Sequence, residues 1–320
     1  MASRSTLVLR QMPKETCAVL KQMLMQGLTW NAFGMDFDAL FLRGNASEQN
    51  ASVTIDLIDR EIMPWYYGAC RDCRALMRMD LQNRWRSRTR PAHPAALNFL
   101  PASASQRFRR DGFLRLAKLG VDVDALARQA ATHLAGVGES KVTSRGVRLE
   151  GMEPILKNQE IIDLASYYLG SSAVMTGYKI LRVGSHVSRK GYISGYWHHD
   201  SCGTRLKLFV FLQDVEEGGV PTEIAVGSQS MLYFGFGAAL SRYDDAHVAG
   251  AFRTEKMTGP RGSGFIFDTN AVHRGNVDGA HLARDAVVVE FSASNKLLSH
   301  VPPHGPCPEP SSFRPDAGQG

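Results

Sequence analysis

Cysteine is scarce in this chain and shows no pattern. The five cysteines, Cys17, Cys70, Cys73, Cys202 and Cys307, form an odd count at irregular spacing. That argues against a disulfide framework and for reduced thiols in a reducing compartment. Cys70 and Cys73 make one CxxC pair, and nothing supplies the rest of the four ligands a structural zinc needs. The plain reading is two thiols on a helix. No apolar run reaches membrane-span length, so no membrane partner is expected. The opening "MASRSTLVLRQMPKE" lacks the apolar block and cleavage site of a secretory signal. A cytoplasmic location is expected, with a weak organellar presequence left open. The formal charge is +6, yet no nucleic-acid-binding motif accompanies the basic run "RWRSRTR" at 84–90. Nucleic acid is therefore not an expected partner. Pro91 and Pro94 follow that run at once, so it reads as a solvated helix end or linker.

What is present is an ordinary globular composition, 44% hydrophobic over 320 residues, enough for one large domain or two modest ones. The chain divides near residue 100. Residues 1–100 form a mostly helical N-terminal extension of unknown role: "TCAVLKQMLMQGL", "SVTIDLIDREI" and "ACRDCRALMRMDLQNRW" repeat apolar residues at helical spacing. "RTRPAHPAALNFLPASAS" at 88–105 reads as a linker or extended arm. "FRRDGFLRL" at 108–116 reads as a turn and strand with Gly112 at the bend, and Asp122 or Asp124 caps a helix reaching about Leu134. After residue 170, "SAVMTGYKILRV", "TRLKLFVFLQDV", "PTEIAVG", "GSGFIFD" and "RDAVVVEFSAS" are short β-branched and aromatic runs punctuated by turn residues, the mark of a sandwich or barrel. The domain is placed at 105–300. Residues 235–262 read as an insert or lid, and 301–320 as a disordered tail.

The chemistry centres on "GYWHHDSCGTRLKLFVF", where His198-x-Asp200 lies between two strand-like segments. With 10 histidines and 31 acidic residues in 320, about one such pair arises by chance, so context must carry the motif. In extended backbone, residues i and i+2 share a face, so His198 and Asp200 can chelate one ion while His199 points away. His273, after the strand "GSGFIFD", is the best third ligand. Two histidines and one carboxylate form the facial triad of non-haem Fe(II) oxygenases, with positions left for a chelating cosubstrate and O₂. Arg284 follows His273 with ten residues between. It suits the distal carboxylate of such a cosubstrate, although Asp285 and Glu290 are alternative partners. Lys179 or Arg182 could reach a cosubstrate carboxylate, but opposite faces separate them, so at most one points inward. Tyr192, Tyr196, Trp197, Arg205 and Lys207 are candidate substrate contacts, each with a packing or solvent-facing reading beside it.

His198-x-Asp200, the strand with "QDV", the loop "GGVPTEIAVGSQS", "GFIFDTNAVHRG" and Arg284 together resemble the phytanoyl-CoA dioxygenase family. "FRRDGFLRL" is similar to that family's opening. The resemblance covers about 105–298. It implies an α+β protein with a double-stranded β-helix, a cupin-like jelly roll with flanking helices. It also implies a metal set of His198, Asp200 and His273, with Arg284 holding 2-oxoglutarate. The implied activity is an Fe(II)- and 2-oxoglutarate-dependent oxygenase: a small-molecule C–H bond is oxidised, most simply hydroxylated, while the cosubstrate yields succinate and CO₂. O₂ is consumed, and ascorbate serves to keep iron reduced. Desaturation or ring closure fits the same scaffold. Related halogenases replace the carboxylate with a small residue, so Asp200 argues for oxygenation. The substrate is expected to be a small molecule, anionic or a CoA ester. The sequence departs from the family where Val226-Gly227-Ser228-Gln229 stands in place of Pro-Gly-Ser-His, and in a long gap between Asp200 and His273 that matches the insert. Two other classes stay open. One is a metal-binding barrel with 2-oxoglutarate-independent activity; the other is a non-catalytic interaction protein.

Overall fold

In the computed structural model, the described residues are 14–25, 29–30, 34–36, 38, 48–63, 71–89, 103–134, 142–145, 147–200, 203–233 and 242–298. The linker's centre, Cys70 and the 301–320 tail, with the expectations attached to them, lie outside these. The strands are β1 (Thr29–Trp30), β2 (Gly34–Asp36), β3 (Phe113–Leu116), β4 (Val142–Arg145), β5 (Ala173–Val183), β6 (Trp197–His198), β7 (Leu206–Phe211), β8 (Thr222–Ala225), β9 (Met231–Tyr233), β10 (Arg242–Tyr243), β11 (Thr254–Met257), β12 (Gly264–Asp268), β13 (His273–Gly275) and β14 (Arg284–Ala293). They form sheets in the orders β3-β12-β7-β14-β5-β4, β10-β6-β13-β8-β11 and β1-β2-β9. Every strand pair is antiparallel.

The six-stranded sheet is covered on both faces, which explains why its strands read as nearly continuous apolar runs. Leu206, Leu208 and Val210 of β7, with Val287, Val289 and Phe291 of β14, pack against Leu126, Ala130, Ile161 and Leu164 of the helices Val123–Leu134 and Gln159–Leu169. The alternate residues Phe209, Phe211, Ala286 and Val288 turn inward and meet Ile224 and Met257 of the five-stranded sheet. Each buried Phe or Leu side chain contributes roughly 1.5–3 kcal/mol. The same parity directs Lys179, Lys207, Arg284 and Glu290 to the inner side.

Several sequence expectations need correcting. Residues 104–111 form a helix (Ala104–Asp111), not a turn; Gly112 ends it with φ 81°, a left-handed cap, and β3 follows directly. Of the segment read as an insert or lid, the described part supplies β10 and β11, the two edges of the five-stranded sheet, joined by the helix Asp245–Ala251. Among the described residues, the first hundred carry helices and also the short strands β1 and β2, the latter pairing with β9. This region is not merely appended. The helix Arg71–Thr89 packs on Gln159–Leu169 and Ser294–Leu298. It passes so close to Gly170 (φ 65°) that a Cβ there would lie 2.0 Å from the Asn83 carbonyl oxygen.

The basic run does end that helix, but it is not solvated throughout. Arg84 is buried and the Arg88 side chain is only 5% exposed, whereas Arg86 between them is exposed. Arg84 donates to Asp80 at 2.9 Å, and Arg88 pairs with Asp38. Asp80 also accepts the Thr204 backbone N–H at 2.9 Å, and Tyr168 donates to Asp268 at 2.8 Å. Burial pushes the Asp80 carboxyl up, but Arg84 and Lys296 outweigh it and hold the group below its ordinary range. Asp268 goes the other way: burial pushes it up to about 7 despite Arg84. Asp122 caps the following helix as expected, accepting the Ala125 N–H at 2.9 Å. No helix among the described residues is long and apolar enough to cross a membrane.

Candidate metal centre and cavity

His198 and His273 are direct cross-strand partners on β6 and β13, which sets their rings 4.4 Å apart. Each ring's Nδ1 meets a backbone carbonyl, that of Tyr196 at 2.7 Å and of Ala271 at 2.8 Å. A carbonyl only accepts, so Nδ1 carries the proton and the Nε2 lone pair is turned inward, as metal-binding histidines require. Asp200 follows two residues after His198. Its backbone N–H donates to the Thr269 carbonyl at 3.0 Å, and the Thr269 N–H donates to the Arg205 carbonyl at 2.8 Å. Asp200 Oδ1 then stands 4.0 Å from His198 Nε2 and 3.9 Å from His273 Nε2. Ligand atoms of the three lie within 4.8 Å of one another and can hold a metal ion.

The electrostatics suit a cation. Burial pushes the Asp200 carboxyl up, but the Lys207 ammonium and the Arg205 guanidinium hold it well below the usual carboxylate range. Lys207 Nζ donates to Asp200 Oδ2 at 2.6 Å, on the oxygen away from the histidines. Burial and the neighbouring His198 push His273 down to about 3, which keeps it neutral and able to ligate.

The three residues line a cavity of about 240 Å³. At one end Arg284 is 1% exposed, and its Nη1 donates to Thr222 Oγ1 at 2.8 Å. Tyr192 also bonds it, while its Nε has no partner. Asp285 pairs instead with Arg182, and Glu290 with Lys179, so among the described residues no carboxylate meets Arg284. Burial pushes the guanidinium down from its ordinary value, the direction expected of a cation without an anion. Phe209, Phe267, Leu181 and Val288 form the apolar walls between this end and the metal-binding set. Of Lys179 and Arg182, Lys179 is the one that faces the cavity.

Not every expected contact is placed there. Trp197 alternates with His198 and so faces outward, 3% exposed among Tyr233, Tyr243 and Val248 and beneath the Arg274 guanidinium. Tyr196 contributes its carbonyl to His198, while its ring lies under Arg242. Neither side chain lines the cavity. Arg205 sits at the edge, 3.6 Å from Asp200 Oδ2. His199 is buried and stacked on Tyr233 at 4.1 Å, apart from the metal-binding set. Thr222, Phe209 and Phe267 were not anticipated. The signal was parity: Thr222 lies two residues from the inward Ile224, and Phe209 two from Lys207.

No family model matches the sequence, and no curated protein matches it either. The fold has solved counterparts. EctD from S. alaskensis in its apoform matches with a TM-score of 0.50 and 16% identity, over 65% of this chain and 83% of that one. The same protein with 2-oxoglutarate and 5-hydroxyectoine gives 0.47 and 17%, over 64% and 80%. The non-heme alpha ketoglutarate dependent epimerase SnoN from nogalamycin biosynthesis gives 0.42 and 18%, over 59% and 82%. At 16% identity the likeness to EctD concerns the fold.

Proposed function

We propose that this chain is an Fe(II)- and 2-oxoglutarate-dependent oxygenase of jelly-roll architecture, akin to the phytanoyl-CoA dioxygenase family, that oxidises a C–H bond of a small molecule. The observation that carries this reading is Arg284. A fully buried cation without a carboxylate, at the end of a cavity that also holds two histidines and an aspartate, implies a ligand that brings its own anion. A five-carbon keto diacid meets both demands: one end chelates metal and the other takes the guanidinium fork. His198, Asp200 and His273 would hold the iron, and Arg284, Thr222 and Tyr192 the distal carboxylate. Bound iron with 2-oxoglutarate and O₂ supplies the oxidising power, with succinate and CO₂ as coproducts. The protein keeps both histidines in the ligating tautomer, presents one Asp200 oxygen, and encloses the reacting region in apolar walls that exclude water.

The test is an anaerobic titration of the metal-free protein with Fe(II) and then 2-oxoglutarate. A visible metal-to-ligand charge-transfer band is expected for the wild type and not for His273→Ala. Iron binding without the band would point to a 2-oxoglutarate-independent barrel, and absence of iron binding to a non-catalytic one.

A further inference from the structure

The cavity has a second charged end. On β14, Arg284 and Glu290 both face inward six residues apart, about 20 Å at the rise of an extended strand. Lys207 stands opposite Glu290 on β7, and Lys179 reaches Glu290 from β5 at 2.5 Å. Lys207 also holds Asp200, as does Arg205 at longer range. Burial pushes the Glu290 carboxyl up, yet Lys179, Lys207 and Arg205 hold it below its ordinary value, so all three cations act on one carboxylate.

The balance at this end is three cations, Lys179, Lys207 and Arg205, against two carboxylates, Asp200 and Glu290. If Asp200 serves a metal ion, its charge is spent there, and three cations face Glu290 alone. Arg274, which also lines the cavity, does not change the count, being matched by Glu223, Asp245 and Asp278. Each lysine has a carboxylate in this structure, Lys179 from Glu290 and Lys207 from Asp200. Once Asp200 serves a metal ion, a further anion at the two ammonium groups restores the balance.

We infer that Lys179 and Lys207 form a receiving site for a negatively charged group of the substrate, a carboxylate or phosphate, at the end of the cavity opposite Arg284. The inference rests on the oxygenase reading, because it assigns the Arg284 end to the cosubstrate. The substrate is then an anion whose charged group is anchored by the lysines, with its oxidised carbon close to the metal-binding set.

The probe is trifluoroacetate, added to the full chain loaded with Mn(II) and saturating 2-oxoglutarate. Its ¹⁹F relaxation is read as a function of concentration. The wild type is expected to give a saturable enhancement, because Mn(II) relaxes a fluorine held within the cavity. Lys179→Met should weaken the apparent Kd by roughly 10-fold, and Lys179→Arg should restore it, as expected for a charge-assisted contact. Glu290→Gln should tighten it by about 2–5-fold, since it removes a competing carboxylate. This gain is not something a damaged fold would produce. Enhancement that does not saturate, or is equal in all variants, overturns the anion site. Water-proton relaxation separates the two levels. If Mn(II) does not bind the wild type, or 2-oxoglutarate does not alter the bound Mn(II), the oxygenase reading fails and the anion site with it. If both bind and trifluoroacetate gives no lysine-dependent response, only the anion site falls.

Discussion

The chain buries charge in two places, and the two are built on opposite terms. Between the helix Arg71–Thr89 and the sheet, Arg84, Arg88, Asp38, Asp80 and Asp268 crowd a space of about 10 Å³, room for roughly one water. At the metal-binding set, Asp200, Lys207, Lys179 and Arg284 surround about 240 Å³. In the first cluster each arginine has a carboxylate, Arg84 from Asp80 on its own helix and Arg88 from the distant Asp38. In the second, Arg284 has a hydroxyl and a phenol but no anion. Buried charge alone therefore says little about function. Charge that faces open volume and lacks its counterion is what marks a ligand site.

The strongest way to test that contrast is to remove one arginine from each region. Arg84→Met would strand Asp80 in a buried site, and breaking such a pair costs about 3–5 kcal/mol. Urea unfolding should show a loss of that size, while Fe(II) affinity at the remaining folded fraction stays unchanged. A melting curve like the wild type's would mean that the cluster is not what fastens the helix Arg71–Thr89 to the sheet.

Arg284→Met should behave in the reverse sense. Removing an unmatched buried cation relieves a desolvation cost, so thermal stability is expected to hold or rise. 2-Oxoglutarate affinity should fall by roughly 10- to 100-fold, as for a lost charged hydrogen bond. Calorimetric titration of the metal-loaded protein reads the affinity, and a melt reads the stability. A stability loss comparable to that of Arg84→Met, with affinity intact, would make Arg284 a structural residue and erase the distinction between the two regions.

The sequence carried the second region better than the first. The strand runs were legible because both faces of the six-stranded sheet are covered. His198 and Asp200 were legible because extended backbone puts residues i and i+2 on one face, while His273 and Arg284, far along the chain, were picked out by their chemistry beside strand-like runs. The packed cluster was less legible: Arg84 and Asp80 lie four residues apart on one helix, but its other pairs are non-local, with Arg88 and Asp38 50 residues apart and Asp80 and Thr204 124 apart. A run of arginines before prolines looks solvated until those partners are known. β10 and β11 were missed for a different reason. They are short and at sheet edges, where solvated polar residues such as those of "TEKM" are tolerated and the alternation signal fades. Trp197 was misplaced for want of one parity step from His198.

The smallest expected effect comes from Asp268, and it sharpens the contrast within the packed cluster itself. Its carboxyl is pushed from 3.8 up to about 7 by burial, whereas Asp80 beside the same arginine is held below its ordinary value. A carboxyl with a raised folded pKa favours the folded state while protonated. Its contribution is complete below the unfolded value and is lost as pH rises from about 4 through about 7. Asp80 has the opposite sign: its contribution is present above its unfolded value and disappears only in acid, so the windows are separate. Between pH 6 and pH 8 the Asp268 term should cost about 1 kcal/mol, or roughly 2–4 °C of melting temperature for a domain of this size. Asp268→Asn keeps an acceptor for Asn270 and removes the titration. Its melting temperature should therefore fall less than the wild type's over that interval. Parallel pH profiles for the two proteins would show that Asp268 stays ionised throughout, and that the arginines neutralise this cluster more completely than its burial implies.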